Sequence, residues 1–397
     1  MKNLKLLVVA LVAMFGFIAC DKHECSDYDH SADLVGTWTC LQAGYAEALV
    51  IKADGSAVST GFDGTEYWEN VKGNIVVKNG TITMTFEDGD NFKGHFDIIP
   101  GMAFSIYTEE GNRLTFNYCA NDLSDEVIGM WVATTGPYMS VEVFNEDGSA
   151  IYTGFVPESE EMAVTSVTSY KVVGDLQFHT VAEDNSTYVV HRLIYSPSSQ
   201  TSLGEIMTWQ VDENISFPRL RVKQSLDLAG KKYDYIKTFV TNVDGLDKDI
   251  NFMGFEFNFA KMDGVKLDKM LKTLLFNVEF PNANTIKYAC HYNNEPMSLD
   301  APIVVDGNKM TVKMSTKNAA YKDIDLYTFQ DKDNTQMHMY MPTYAFINFF
   351  GNMQATMMSQ MGNLDLTDAA AVKAVFDSID AAVETINVSF VMEKAAK

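Results

Sequence analysis

The 397-residue sequence predicts a mainly β chain of tandem antiparallel, up-and-down β-barrel or meander units, the third with added helices. Three observations lead there. A phrase occurs twice without a gap. Leu34-Val35-Gly36-Thr37-Trp38, Asp54-Gly55-Ser56-Ala57 and Thr60-Gly61-Phe62 return 93 residues later as Val127-Ile128-Gly129-Met130-Trp131, Asp147-Gly148-Ser149-Ala150 and Thr153-Gly154-Phe155. That constancy marks an internal duplication. Short alternating runs are closed repeatedly by Asp-Gly and Asn-Gly, which accept positive φ and turn hairpins. In the last third the apolar period changes from two to about 3.6, the helical value.

The chain begins with a processing signal. Lys2 and Lys5 precede an apolar run from Leu6 to Ile18, followed by Ala19 and Cys20. The run is too short for a comfortable membrane span and has the flanks of a signal peptide. Phe17-Ile18-Ala19-Cys20 resembles the bacterial lipobox, which implies cleavage before Cys20 and a lipid on its sulfur, traceable with palmitate. Residues 1–19 are then a lipoprotein signal peptide. Residues 20–32 are polar and acidic without apolar periodicity, and read as a tether. An acidic patch directly after the acylated Cys resembles the surface-export signals of Bacteroidota lipoproteins, implying the outer membrane, on its periplasmic or cell-surface side.

Composition bounds the rest. With 47% hydrophobic and 12% aromatic residues the chain can bury sizeable cores. The formal charge is −23, and nucleic acid is an unsuitable partner because phosphate binding needs clustered Lys and Arg.

Unit one spans 33–123. Its runs include Ile75-Val76-Val77, Thr81 to Phe86 and Arg113 to Tyr118, with turn signals at Asp54-Gly55, Asp63-Gly64, Asn79-Gly80 and Asp88-Gly89. Eight or nine short strands joined by hairpins make a meander, and closing it removes exposed edges. Gly36-x-Trp38, opening the first strand of such a meander, resembles the start of lipocalins and the wider calycin group. The resemblance implies that Gly36 and Gly129 let the chain turn closely into strand one. It also implies that Trp38 and Trp131 plug the closed end of each barrel. The repeat is shorter than a full lipocalin, so short strands and a small cavity are expected.

Unit two spans 124–224 and offers eight strand candidates, from Ile128–Ala133 to Pro218–Val222. Unit three spans 225–397 and is a divergent third copy. Pro302-Ile303-Val304-Val305 follows Asn74-Ile75-Val76-Val77, and the hairpin at Asn282 follows that at Asp54, both at offset 228. Leu267, Met270, Leu271, Leu274 and Leu275 fall on one face of a short helix. Phe346, Phe349, Phe350, Met353, Met357 and Met361 mark a second helix from Thr343 to Gly362. Thr367 opens a third, with Val372, Val375, Phe376, Ile379 and Val383, before a last strand from Thr385 to Met392.

The chemistry-bearing residues are few. Cys40 ends strand one of unit one and Cys119 ends its last strand. These strands are neighbours in a closed meander, so the pair is a disulfide candidate in an oxidising envelope. Strand register could equally keep the thiols apart. The seven histidines never make a His-x-x-x-His pair and no Cys-x-x-Cys occurs, so no metal site is expected. Asp247-x-Asp249-x-Asn251 starts like a calcium loop but lacks the turn glycine and the closing Glu. Gly-x-Ser-x-Gly, Walker and dinucleotide motifs are absent, and no catalytic or cofactor-binding residue is assigned. The face of Phe346, Phe350, Met353, Met357 and Met361 either packs on the third barrel or forms an apolar partner surface, since Met adapts to varied apolar shapes.

The sequence therefore points to a non-catalytic envelope lipoprotein, anchored through Cys20. One reading makes it a binding module for a small apolar ligand or a glycan. A second makes it a scaffold whose barrels are filled. A third, a hydrolase, needs converging carboxylates or a His-activated nucleophile. An apolar cavity of a few hundred Å³ would separate the first from the second.

Overall fold

A computed structural model describes residues 30–396 apart from 79, 108–112, 134–138, 156–161, 182–187, 202–203, 213, 248, 253–254, 263 and 293. Residues 1–29, which include the stretch read as a signal peptide, Cys20, Cys25 and most of the stretch read as a tether, lie outside the described residues. The chain divides into two compact units, Met1–Ala120 and Asn121–Lys397.

The first unit is a closed eight-stranded barrel in simple meander order. Its strands are β1 (Gly36–Gln42), β2 (Tyr45–Ile51), β3 (Ser56–Phe62), β4 (Tyr67–Lys78), β5 (Thr81–Phe86), β6 (Asn91–Ile99), β7 (Ala103–Tyr107) and β8 (Arg113–Cys119). β1 pairs with both β2 and β8, which leaves no edge. Its interior is packed with aromatic rings. Trp38 meets Phe104 edge-on at 5.0 Å, and Phe104 stacks on Phe116 at 4.8 Å. Cys40 and Cys119 are not bonded to each other, and register is the reason. Cys119 lies opposite Thr37, so Cys40, an odd number of residues further on, points to the other face of β1. Cys40 sits in the barrel core with Trp38.

The second unit holds two barrels. After a single helical turn, α1 (Ser124–Val127), come β9 (Gly129–Ala133), β10 (Ser140–Phe144), β11 (Ser149–Phe155), β12 (Met162–Val173), β13 (Leu176–Thr180), β14 (Tyr188–Ser196), β15 (Ile206–Gln210) and β16 (Ser216–Val222), closed by β16 on β9.

The duplicated phrase carries duplicated geometry. The Trp38 indole donates to the Leu34 carbonyl at 2.7 Å, and Trp131 donates to Val127 at the same distance. Both rings are fully buried. Gly36 and Gly129 have φ of 142° and 131°, and a Cβ on Gly36 would lie 2.6 Å from the Tyr118 ring. Only glycine tolerates both conditions. Asp54 accepts from the amide and hydroxyl of Ser56, as Asp147 does from Ser149. These Asp-Gly hairpins are three-residue loops rather than the two-residue loops their dipeptides suggest. Lys52 N–H bonds Ser56 O, Gly55 N–H bonds Lys52 O, and Gly55 takes φ 83° as the bulge residue.

The third barrel is interrupted. β17 (Lys231–Gly245) is followed by a hairpin outside the barrel, β18 (Asp249–Phe252) and β19 (Phe255–Asn258), and by helix α2 (Gly264–Thr273). β20 (Asn277–Asn282), β21 (Thr285–Tyr292), β22 (Glu295–Asp306), β23 (Lys309–Val312), β24 (Ile324–Gln330) and β25 (Gln336–Met341) continue the meander. Helices α3 (Thr343–Gln360) and α4 (Ala369–Asp380) precede β26 (Val383–Lys394), which closes on β17. The hairpin at Asn282 joins the second and third barrel strands, the same place the Asp54 hairpin holds in the first barrel.

Element ends differ from the sequence reading in three places. Leu275 does not join the α2 face: it takes φ 48° just past the helix and is 63% exposed. The N-cap of α4 is Asp368, not Thr367, because the Asp368 carboxylate accepts from the amides of Ala370 and Ala371. Val383 begins β26 rather than extending α4. α3 stops in a Schellman motif, with Asn363 N–H bonding Met358 O and Gly362 N–H bonding Ser359 O.

Barrels two and three pack side to side. Phe155 of β11 meets Tyr327 and Tyr340 of β24 and β25 edge-on, at 5.9 and 5.6 Å. Beside them the buried Glu205 carboxylate receives Arg221 at 3.1 Å and Lys332 at 2.9 Å.

Candidate ligand-binding cavity

The third barrel contains an apolar cavity of about 220 Å³. Most of its wall comes from four places in the chain, with Met262, Met314 and Phe390 among the rest. α2 contributes Leu267, Met270 and Leu271; β24 and β25 contribute Leu326, Met339 and Met341. β21 and β22 contribute Tyr288, Cys290 and Leu299, and α3 contributes Phe346, Phe350, Met353 and Met357.

Local sequence explains each wall. In β25 the methionines alternate, Met337, Met339 and Met341, and the strand pleat turns all three into the barrel. In α3, Phe346, Phe350, Met353 and Met357 recur at helical spacing and share one face. Phe346 and Phe350 stack at 5.7 Å, and Phe259 meets Phe350 edge-on at 5.6 Å. The helix start is tied to β26, where Thr343 Oγ1 donates to Ile386 O and accepts from Ile386 N–H.

The Met and Phe face, read from the sequence as either packed on the third barrel or a partner surface, is largely an interior wall. Phe346 and Phe350 are 4% and 5% exposed, and Met353 and Met357 are half-buried. Met361 stands apart: it caps the helix, is 62% exposed and lies outside the cavity lining.

Two of the polar groups at the wall, Asn352 and Thr356, are engaged within the protein. Asn352 clamps the Lys322 backbone, donating to its carbonyl at 2.7 Å and accepting from its amide at 3.1 Å. Thr356 bonds Asn352 O and Tyr321 OH. Burial pushes the Cys290 thiol up and the Tyr288 phenol up, so both stay neutral. The cavity offers shape and polarisable surface rather than charge.

Met297 and Leu299, 39% and 42% exposed, line the cavity at the surface side and mark where it reaches solvent.

Sequence reasoning found the α2 and α3 faces but not that they enclose a space with the strands. The period-two methionines of β25 were the available signal. The Asp247 region leads into a hairpin rather than a calcium loop: Asp249 opens β18, while Asp247 pairs with Lys261 at 2.6 Å and accepts from Asn258, which also reaches Asp249. No group of three metal-ligating side chains occurs among the described residues, and no described helix is long and apolar enough to cross a membrane.

Fold and cavity define a tandem β-barrel chain with an apolar interior chamber. No family model matches the sequence, and no curated protein is significantly similar. Solved structures with some likeness include transferrin binding protein B of Haemophilus parasuis Hp5, as a double and a single mutant. Each has 10% identity and a TM-score of 0.25, over 89% of this chain and 66% of that one. The isotype 1 protein from serogroup B Neisseria meningitidis is 9% identical with a TM-score of 0.20, at the same coverage.

Proposed function

We propose that this chain is a lipid-anchored envelope protein of Bacteroidota type whose third barrel binds a small apolar molecule, without catalysis. The Met-lined cavity closed by α2 and α3 carries this reading. Its volume exceeds the ~150 Å³ of an engineered cavity that takes benzene and falls below the roughly 300–1,000 Å³ of drug-sized pockets. That range suits a one- or two-ring aromatic or a medium-length acyl chain. A glycan fits this chamber poorly, because its wall is mostly Met, Leu, Ile and Phe.

Titration with an environment-sensitive apolar dye tests the ligand reading. Met339→Trp, which fills the chamber, is expected to weaken dye binding at least tenfold while the circular dichroism spectrum stays the same. Equal affinity in the variant would place the dye elsewhere. The lipobox-like Phe17-Ile18-Ala19-Cys20 supports the anchor. Labelled palmitate should enter the wild type and not Cys20→Ser, and labelling that persists in Cys20→Ser would remove the anchor assignment.

A further inference from the structure

The second barrel is built differently from the third. Above its Trp131 plug the inward positions turn polar, and they surround a pocket of about 340 Å³. Trp209 lies at its base, stacked on Phe144 at 5.7 Å and meeting Trp131 edge-on. Val181 and Phe217, 49% and 46% exposed, line it at the open end.

Several buried polar atoms in this wall lack partners. His179 is 4% exposed; its Nε2 bonds Thr168 Oγ1 at 3.1 Å while its Nδ1 has no hydrogen bond. His191 Nδ1 and Arg219 Nε are likewise buried and unsatisfied. Such groups cost stability unless something fills the site and bonds them. Arg219 lies over the Trp209 ring at 4.9 Å and pairs with the Glu142 carboxylate at 2.5 Å.

From this arrangement we infer that the second barrel holds a separate site for a small neutral polyhydroxylated ring, of the monosaccharide or cyclitol class. The charge balance excludes ionic ligands. Glu142 and Arg219 cancel one another, so an added charge would be buried unpaired. The two imidazoles stay neutral at physiological pH. Burial and the neighbouring His191 hold His179 at about 4, and burial and Arg219 hold His191 at about 4. Each unsatisfied Nδ1 offers a donor or an acceptor to a ligand hydroxyl, according to the tautomer. Tyr152 supplies apolar wall for the ring's C–H groups, since Phe144 and Arg219 already lie against the Trp209 ring. The volume, at the small end of ligand pockets, takes a single ring.

This site is independent of the apolar chamber, so either proposal stands or falls alone. The test is ligand-observed NMR titration of the full chain with glucose, galactose, mannose and myo-inositol, alongside glucuronate and glucosamine as charged controls. At least one neutral ring should bind saturably and more tightly than either charged control. His191→Phe and Ser166→Val, the second at another residue lining the pocket, should each weaken it at least tenfold in a chain still folded by circular dichroism; Ser166→Val serves if the other fails to fold. No saturable neutral ligand, tighter binding of a charged control, or undiminished binding in folded variants would overturn the inference.

Discussion

Single residues carry this fold where the sequence repeats itself. Trp131 fills the base of its barrel and satisfies the last α1 carbonyl, so Trp131→Ala is expected to destabilise the second unit by about 3–5 kcal/mol, measured by chemical denaturation. Gly36, Trp38, Gly129 and Trp131 were legible because the same spacing occurs twice. Cys40 and Cys119 were not, since whether neighbouring thiols meet depends on register, and one odd step separates them. Histidine gives a pH signature. His179 and His191 face Glu142, Tyr152, Arg219 and each other, and their folded values near 4 lie below the ordinary value of about 6.5. The unfolded chain therefore binds more protons between those values. Stability is full above pH ~6.5 and falls toward pH ~4. Melting curves over that range should show the fall, and it should shrink in His179→Gln/His191→Gln; an identical pH dependence in the double variant would refute the assignment.

Elements explain where a cavity became possible. α3 uses two faces: one lines the chamber, and the other lets Gly351 sit against the Phe376 ring of α4. A Cβ on Gly351 would lie 2.4 Å from that ring, so Gly351→Ala should cost about 1–3 kcal/mol and loosen dye binding. Asp368→Ala removes the α4 cap and should cost about 1 kcal/mol without altering the chamber. A variant pair with the opposite order of effects would mean that α3 is not the chamber's wall. Helix periodicity made α2, α3 and α4 readable, and turn dipeptides made the hairpins readable. Boundaries such as Leu275 and Asp368 were decided by backbone geometry and by which carboxylate reaches the amides. The polar interior of the second barrel was hidden for a related reason. Alternation shows which residues share a face, but a strand such as β14 (Tyr188–Ser196), mixed on both faces, does not declare which side is inside.

At the scale of the molecule, three barrels of one topology have three interiors: aromatic and packed in the first, polar in the second, apolar and hollow in the third. The fold class was legible because hairpin signals and strand alternation recur along most of the chain. The chamber was not, because it arises where a divergent barrel admits two inserted helices that do not fill it. If the chamber binds as proposed, it is occupied in the cell. Native mass spectrometry of the full-length protein, extracted gently from envelopes, tests this occupancy most directly. The prediction is an apolar adduct beyond any mass on Cys20, released on collisional activation and missing from Met339→Trp. A wild-type spectrum with no adduct, or an adduct retained undiminished in Met339→Trp, would contradict the proposal.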